Sequence, residues 1–197
     1  MLKTQKDATI IPKVTLFFSF VISFFIQFFV SMKFNTVLYN LRSAKNIGMI
    51  ARSHISFGGN FLILVGGQER WKFKGGTHSY TRKIEDLGKL LIFDTEEDFF
   101  AWSERLKIVN VGVEIGENEA SLIDYNFPDN CNLIFGNERT GLPKEVITKM
   151  VNILTIPQYG EVGSLNVAVA ASIVFYEMKR ADKSKYVIEG EKFKSVD

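Results

Sequence analysis

Phe61–Val65 reads FLILV, five apolar residues in a row with no polar position among them. A strand wetted on one side alternates apolar and polar side chains, so an unbroken run suits a strand covered on both faces. LLIF, from Leu90 to Phe93, has the same character. FNTVLY (Phe34 to Tyr39), VNVGV (Val109 to Val113), NLIFG (Asn132 to Gly136) and LTIP (Leu154 to Pro157) read as further short strands. Helical patterns lie between them. Asn46 stands where an N-cap would for IGMIARSHISF, with Ile47, Ile50, Ala51 and Ile55 on one face and Gly58 and Gly59 ending it. Thr95 precedes Glu96, Glu97 and Asp98, the sign of charge a helix N-terminus favours. The closing helix, about Ser164 to Arg180, is apolar nearly all round and must be covered on more than one side, by its own sheet and by a second subunit. Strands alternating with helices predict an α/β fold with a mostly parallel sheet flanked by helices.

The two ends differ from this pattern. Val14 to Val30 carries no charge and seven of the chain's 18 phenylalanines. Its length is at the lower edge of what spans a bilayer. Three readings compete: a membrane anchor, a signal-peptide core without an A-x-A cleavage site, and an upstream extension of a chain that starts at Met32. Ala181 to Asp197 mixes charges of both signs without periodicity and reads as a flexible tail. The expected organisation is therefore a hydrophobic extension over 1–31, a folded domain over 32–180 and a charged tail over 181–197. One cysteine, Cys131, excludes a disulfide framework, and His54 and His78 are too few for most histidine metal sites. No metal is expected, and the location expected is cytoplasmic, with anchoring through 14–30 as the alternative.

Charge is segregated along the domain. From Lys33 to Lys83 there are nine Lys/Arg against the single acid Glu69; from Ile84 to Glu138 there are three against 13 acids. Such a chain can offer one basic face to a polyanion without a strongly basic balance; the alternative is that the charges intermix in space. Arg70, Lys72, Lys74, Arg82 and Lys83 alternate with Trp71, Phe73 and Tyr80, a spacing suited to phosphate contacts and base stacking, or to a solvated loop with a few core aromatics.

Three glycine- and polar-rich loops follow apolar strands, where open α/β sheets bind ligands. They are NIGMIAR (Asn46 to Arg52), FGNERTGLP (Phe135 to Pro143) and IPQYGEVGSLNVAVA (Ile156 to Ala170). Singly, each has a plain structural use: a cap at Asn46, a tight turn from Gly136 to Gly141, a cap at Ser164. Together and in this order they resemble the three motifs of the SpoU/TrmH branch of the SPOUT RNA methyltransferases. Asn46, Gly48 and Arg52 match the first; Gly136, Asn137, Glu138, Gly141 and Leu142 the second; Ile156, Pro157, Gly160, Ser164, Leu165, Asn166, Val167 and Ala170 the third.

The resemblance implies a trefoil-knotted α/β domain that works as a homodimer, binds S-adenosylmethionine and methylates a ribose 2′-hydroxyl of tRNA or rRNA. Knots are nearly absent from proteins, so periodicity alone would not suggest one. By the same resemblance, Glu114, Gly136, Ile156, Ser164 and Leu165 hold the cofactor. Arg52 serves the acceptor hydroxyl, with Asn46, Glu138 and Asn166 orienting it; its alternative use is an ion pair with Glu138. Arg52, Arg70, Lys72, Lys74, Arg82 and Lys83 face the RNA. Two rival readings are a non-catalytic RNA-binding dimer that kept the fold, and a SPOUT enzyme that methylates a base.

Overall fold

Each of the six apolar runs forms a strand in the computed structural model, which describes residues 33–66, 79–116 and 119–181. The strands are β1 (Lys33–Tyr39), β2 (Leu62–Val65), β3 (Leu90–Phe93), β4 (Val109–Val113), β6 (Asn130–Phe135) and β7 (Asn152–Thr155), joined by a two-residue β5 (Ala120–Ser121) absent from the sequence reading. They make one seven-stranded sheet in the order β3-β2-β1-β6-β4-β7-β5, and every neighbouring pair is parallel. The chain divides into two units, Met32–Asp197 and Met1–Ser31. The charge-free run from Val14 to Val30 lies outside the described residues, as does the tail beyond residue 181. Among the described residues no helix is long and apolar enough to cross a membrane.

In β1, β2 and β6 two-residue alternation sends side chains to two separate cores, which is why those runs are apolar throughout. The edge strand β3 is only partly covered and leaves Ile92 exposed, contrary to the reading of LLIF as buried on both faces. Phe34, Leu38, Leu62, Leu64, Leu133 and Phe135 face one core; Val37, Ile63, Val65 and Ile134 face the other. The register matches this division, with Val37 beside both Ile63 and Ile134. The first core is covered by α1 (Ala44–Ser56) and α5 (Val167–Ala181), with Ile84 from α2 (Ser79–Asp86). The second is covered by α3 (Glu96–Arg105) through Phe99 and by the single turn α4 (Lys144–Ile147) through Val146. Thr95 caps α3 as expected, its hydroxyl accepting from the Asp98 N–H.

Three expectations change. The N-cap of α1 is Ser43, whose Oγ accepts from the Asn46 N–H at 3.3 Å. Asn46 sits inside the first turn, with its amide released for longer-range contacts. The basic segment after β2 contains α2, so Arg82 and Lys83 lie exposed on a helix. The closing helix starts at Val167 rather than Ser164, because the Asn166 side chain accepts from the Ala168 N–H at 2.9 Å and caps the first turn. Ala168, Ala171, Val174, Phe175 and Met178 form its buried stripe, while Val169, Ile173 and Tyr176 are exposed within this chain.

The amino ends of the strands carry a buried polar cluster. Asn35 Nδ2 donates to Asn132 Oδ1 at 2.8 Å, and Asn132 Nδ2 donates to Asn110 Oδ1 at 2.8 Å and Ser103 Oγ at 3.0 Å. Asn35 Oδ1 accepts from the Phe61 N–H at 3.1 Å. These bonds tie β1, β6, β4 and α3 in one register, because a shifted pairing would strand amides away from water.

Candidate active site at the carboxyl ends of the central strands

The second glycine-rich loop leaves β6 and folds back as a closed turn. Asn137 and Gly141 exchange backbone hydrogen bonds (3.2 and 2.9 Å), and Asn137 Oδ1 accepts from the Arg139 and Thr140 N–H groups. Asn137 Nδ2 donates to the Asn40 carbonyl at 2.6 Å, which fastens the turn to the end of β1. Two of its positions require glycine. A Cβ on Gly136 would lie 2.4 Å from the carbonyl carbon of Gly141; Gly141 has φ +64° and faces the Glu114 carboxylate. Glu114 itself, just past β4, accepts from the Leu142 N–H at 2.8 Å through Oε2 and from the Ile115 N–H at 3.0 Å through Oε1.

This turn presents Glu138 to the first and third loops. Glu138 Oε1 accepts from the Ser43 N–H at 3.0 Å and from Asn46 Nδ2 at 3.1 Å, and Oε2 accepts from the Arg42 N–H at 3.1 Å. Asn46 Oδ1 then accepts from Asn166 Nδ2 at 3.2 Å. The carboxylate can only accept, so it fixes which way the Asn46 amide points, and Asn46 fixes Asn166 in turn. Burial alone would raise the Glu138 pKa. Its own N–H, the N–H groups of Arg42 and Ser43, and the Asn46 amide outweigh that and hold it below the ordinary carboxylate value. Residues far apart in sequence thus meet in one directional relay.

The relay borders a cavity of about 490 Å³ at the carboxyl ends of β4, β6 and β7, the volume and place of a small-molecule site in an α/β sheet. Val113, Phe135, Ile156 and Leu165 supply apolar wall; Glu114, Gln158 and Ser164 supply polar groups. All five residues expected at a cofactor, Glu114, Gly136, Ile156, Ser164 and Leu165, line it, as do Glu138 and Asn166. Asn46 reaches it through its two hydrogen bonds.

Arg52 does not line the cavity. Six residues along a helix from Asn46 place it about 120° around α1 and about 9 Å along the axis. It makes no ion pair with Glu138; its guanidinium carbon lies 5.4 Å from the centroid of the Tyr80 ring. Arg70, Lys72 and Lys74 fall outside the described residues. Cys131 is buried, which pushes its thiol up to about 12 and removes it as a nucleophile. Among the described residues no cluster of His, Cys, Asp or Glu is suited to a metal ion.

Sequence reasoning missed Ser43 as the cap and Asn137 as the residue that closes the turn and hooks it to β1. An asparagine able to accept from the N–H groups two and three residues on was a legible signal for the second. It also missed Arg139 and Thr140, which line the cavity from inside the second motif.

The sequence matches the SpoU rRNA Methylase family over residues 33–176. It is 28% identical over 108 residues to a tRNA (guanosine(18)-2′-O)-methyltransferase of Thermus thermophilus, covering 54% of this chain and 51% of that protein. It is 29% identical over 143 residues to a 23S rRNA (uridine(2479)-2′-O)-methyltransferase of Streptomyces viridochromogenes, covering 70% and 49%. The chain spans about half the length of these curated relatives. Among solved structures, the Streptomyces viridochromogenes SpoU methyltransferase AviRb in complex with AdoMet aligns with TM-score 0.67 at 27% identity, over 76% of this chain and 60% of that one. A structure described as giving insights into 2-OH methylation of C/U34 on tRNA aligns with TM-score 0.66 at 28% identity, over 76% and 95%. With the family matched across all three motif loops and the parallel sheet that carries them, this chain belongs to the SpoU rRNA methylase family.

Proposed function

We propose that this chain transfers a methyl group from S-adenosylmethionine to a ribose 2′-hydroxyl of tRNA or rRNA. The observation that carries the reading is the relay Glu138–Asn46–Asn166 at the rim of the cavity, which draws all three motif loops to one point. The cavity suits the cofactor. Val113, Phe135 and Ile156 can sandwich a flat base, Gly136 allows backbone contact that a side chain would block, and Glu114 and Ser164 offer partners to hydroxyl or ammonium groups.

When bound, S-adenosylmethionine supplies a methyl carbon already activated by its sulfonium, with a neutral thioether as leaving group. The protein's task is to align the acceptor oxygen and ease loss of its proton. Asn46 and Asn166, held in fixed orientation by Glu138, position the ribose. Arg52 is a poor literal base, since its guanidinium stays protonated. In this reading it grips a phosphate of the RNA beside the cavity and so orients the acceptor nucleotide. Arg82 and Lys83 on α2 extend the cationic surface along the strand.

The same reading includes the family's trefoil threading, a cytoplasmic location and a homodimer in which Val169, Ile173 and Tyr176 of α5 are covered by a second copy. Incubation with labelled S-adenosylmethionine and total tRNA and rRNA, then nucleoside mass spectrometry and mapping, tests the assignment. Methyl groups should appear on ribose; methylation of a base, or none at all, would overturn it. Arg52→Lys keeps the charge but loses the planar fork and should cut transfer at least tenfold, about 1.4 kcal/mol.

A further inference from the structure

We propose that Tyr80 is a positioning residue for Arg52: its ring is the platform that holds the guanidinium in reach of RNA without neutralising it. This role rests on the functional reading above. Arg52 is exposed on α1, and among the described residues its guanidinium has no carboxylate within ion-pair distance. Its charged group lies over the Tyr80 ring at 5.4 Å from the centroid, inside the range where a ring quadrupole attracts a cation. Glu138, the acid that the sequence offered as an alternative partner, has both oxygens engaged by Arg42, Ser43 and Asn46.

The choice of an aromatic partner has a chemical consequence. A carboxylate would cancel the positive charge and occupy the N–H donors of the guanidinium fork. A ring face attracts the cation while leaving the donors at the edge of the guanidinium plane free for an anionic oxygen. The platform is itself fixed. Tyr80 is half-buried against the core beneath α1, and Ile84, one turn further along α2, is only 2% exposed. Without the ring, a long arginine on an exposed helix face would sample many rotamers, and few would point its fork at one acceptor. The spacing of Tyr80 among basic residues suits it to stacking on RNA bases; with Arg52 over it, that ring face is already engaged.

The test uses the full chain with Tyr80→Leu and Tyr80→Phe, labelled S-adenosylmethionine, and the RNA in which methylation has been mapped. Tyr80→Leu should lower kcat roughly two- to fivefold while leaving the KM for S-adenosylmethionine unchanged, because Tyr80 does not line the cavity. Tyr80→Phe, which keeps the ring face, should restore the lost kcat. A second readout is independent of activity: the Arg52 Nε–H resonance should carry a ring-current shift in the wild type and in Tyr80→Phe, and move to the free-arginine position in Tyr80→Leu. Wild-type kcat in Tyr80→Leu, or a loss that appears in KM for the cofactor instead, overturns the proposal. A wild-type chain that methylates no RNA sinks the functional reading and this role with it; an active wild type whose Arg52 resonance is unshifted sinks this role alone.

Discussion

At the amino ends of β1, β4 and β6, Asn35, Asn110 and Asn132 join Ser103 in hydrogen bonds that are buried around Asn132 and half-buried at Asn110. At the carboxyl side of the same sheet, Asn46 and Asn166 join Glu138. Both networks are built mainly of asparagine, and both tie together segments far apart in sequence. They differ in what they leave free. Asn132 and Ser103 are fully buried, with their polar atoms engaged by protein. Glu138 and Asn166 are exposed at the cavity, where a ligand can complete the pattern. A saturated network sets register; a network of the same chemistry with one open side is a site. The charge differs too: the amino-end cluster is neutral, whereas the carboxyl-end relay takes its direction from one carboxylate.

The largest effect should come from that carboxylate. Both Glu138 oxygens accept from N–H donors, so in Glu138→Gln the new NH2 must face a donor whichever way the amide turns. Even with its carbonyl kept toward Ser43 and Asn46, the NH2 is pressed against the Arg42 N–H, which pushes the side chain out of place and shifts Asn46 and Asn166 with it. Methyl transfer should fall about a hundredfold, roughly 2.7 kcal/mol, while the urea midpoint moves little because the group is open to water. A large fall in midpoint would mean that the relay holds the fold as much as the site.

The converse variant is Asn132→Ala. It removes the partner of Asn35, Asn110 and Ser103 together and leaves buried polar atoms unpaired. An unfolding free energy lower by about 2 kcal/mol is expected, with the cofactor affinity of the folded protein unchanged. If affinity fell in step with stability, the two ends of the sheet would be coupled and the contrast between them would fail.

Much of this was legible in the sequence, and the limits have physical causes. The strands could be read because a parallel sheet covered on both faces needs apolar runs such as FLILV. LLIF also forms a strand, but at the sheet edge, where Ile92 is 63% exposed, so it is not the doubly covered strand its sequence suggests. The strand order could not, since β1 pairs with β6 across 97 residues and local periodicity carries no record of its partner. Local sequence cannot separate Asn46 from Ser43 as the cap, because both are capping types three positions apart; only the tertiary contact with Glu138 distinguishes the cap from the residue it caps. Helix α2 was missed because its eight residues carry charge on most of their surface and bury only Thr81 and Ile84. The set of residues that line the cavity follows from motif resemblance. The position of Arg52 away from the cavity follows from helix geometry, once Asn46 is known to lie within the helix rather than at its end.

The smallest effect concerns a third polar contact, which fastens α1, the helix bearing Asn46 and Arg52, to β1. His54 Nδ1 and Thr36 Oγ1 are 2.8 Å apart, and both residues are buried. The His54 ring packs beneath Gly59, where an added Cβ would lie 2.2 Å from it. The His54 pKa is lowered from 6.5 to about 4, chiefly by burial; a backbone hydrogen bond with Asn60 opposes the shift and the Lys89 charge adds to it. Between those two values the unfolded chain binds the proton and the folded chain does not, so stability rises with pH across this window. The contribution is fully present above about pH 6.5 and is lost as pH falls toward 4. Urea unfolding at pH 5.5 should therefore show about 1 kcal/mol less stability than at pH 7.5, and His54→Leu should flatten that dependence. Glu138, held below the ordinary carboxylate value, keeps its charge at pH 5.5, so the site's relay should persist while the helix that carries it loosens. Equal wild-type midpoints at the two pH values would show that His54 accepts a proton in place, and that α1 does not depend on a neutral ring.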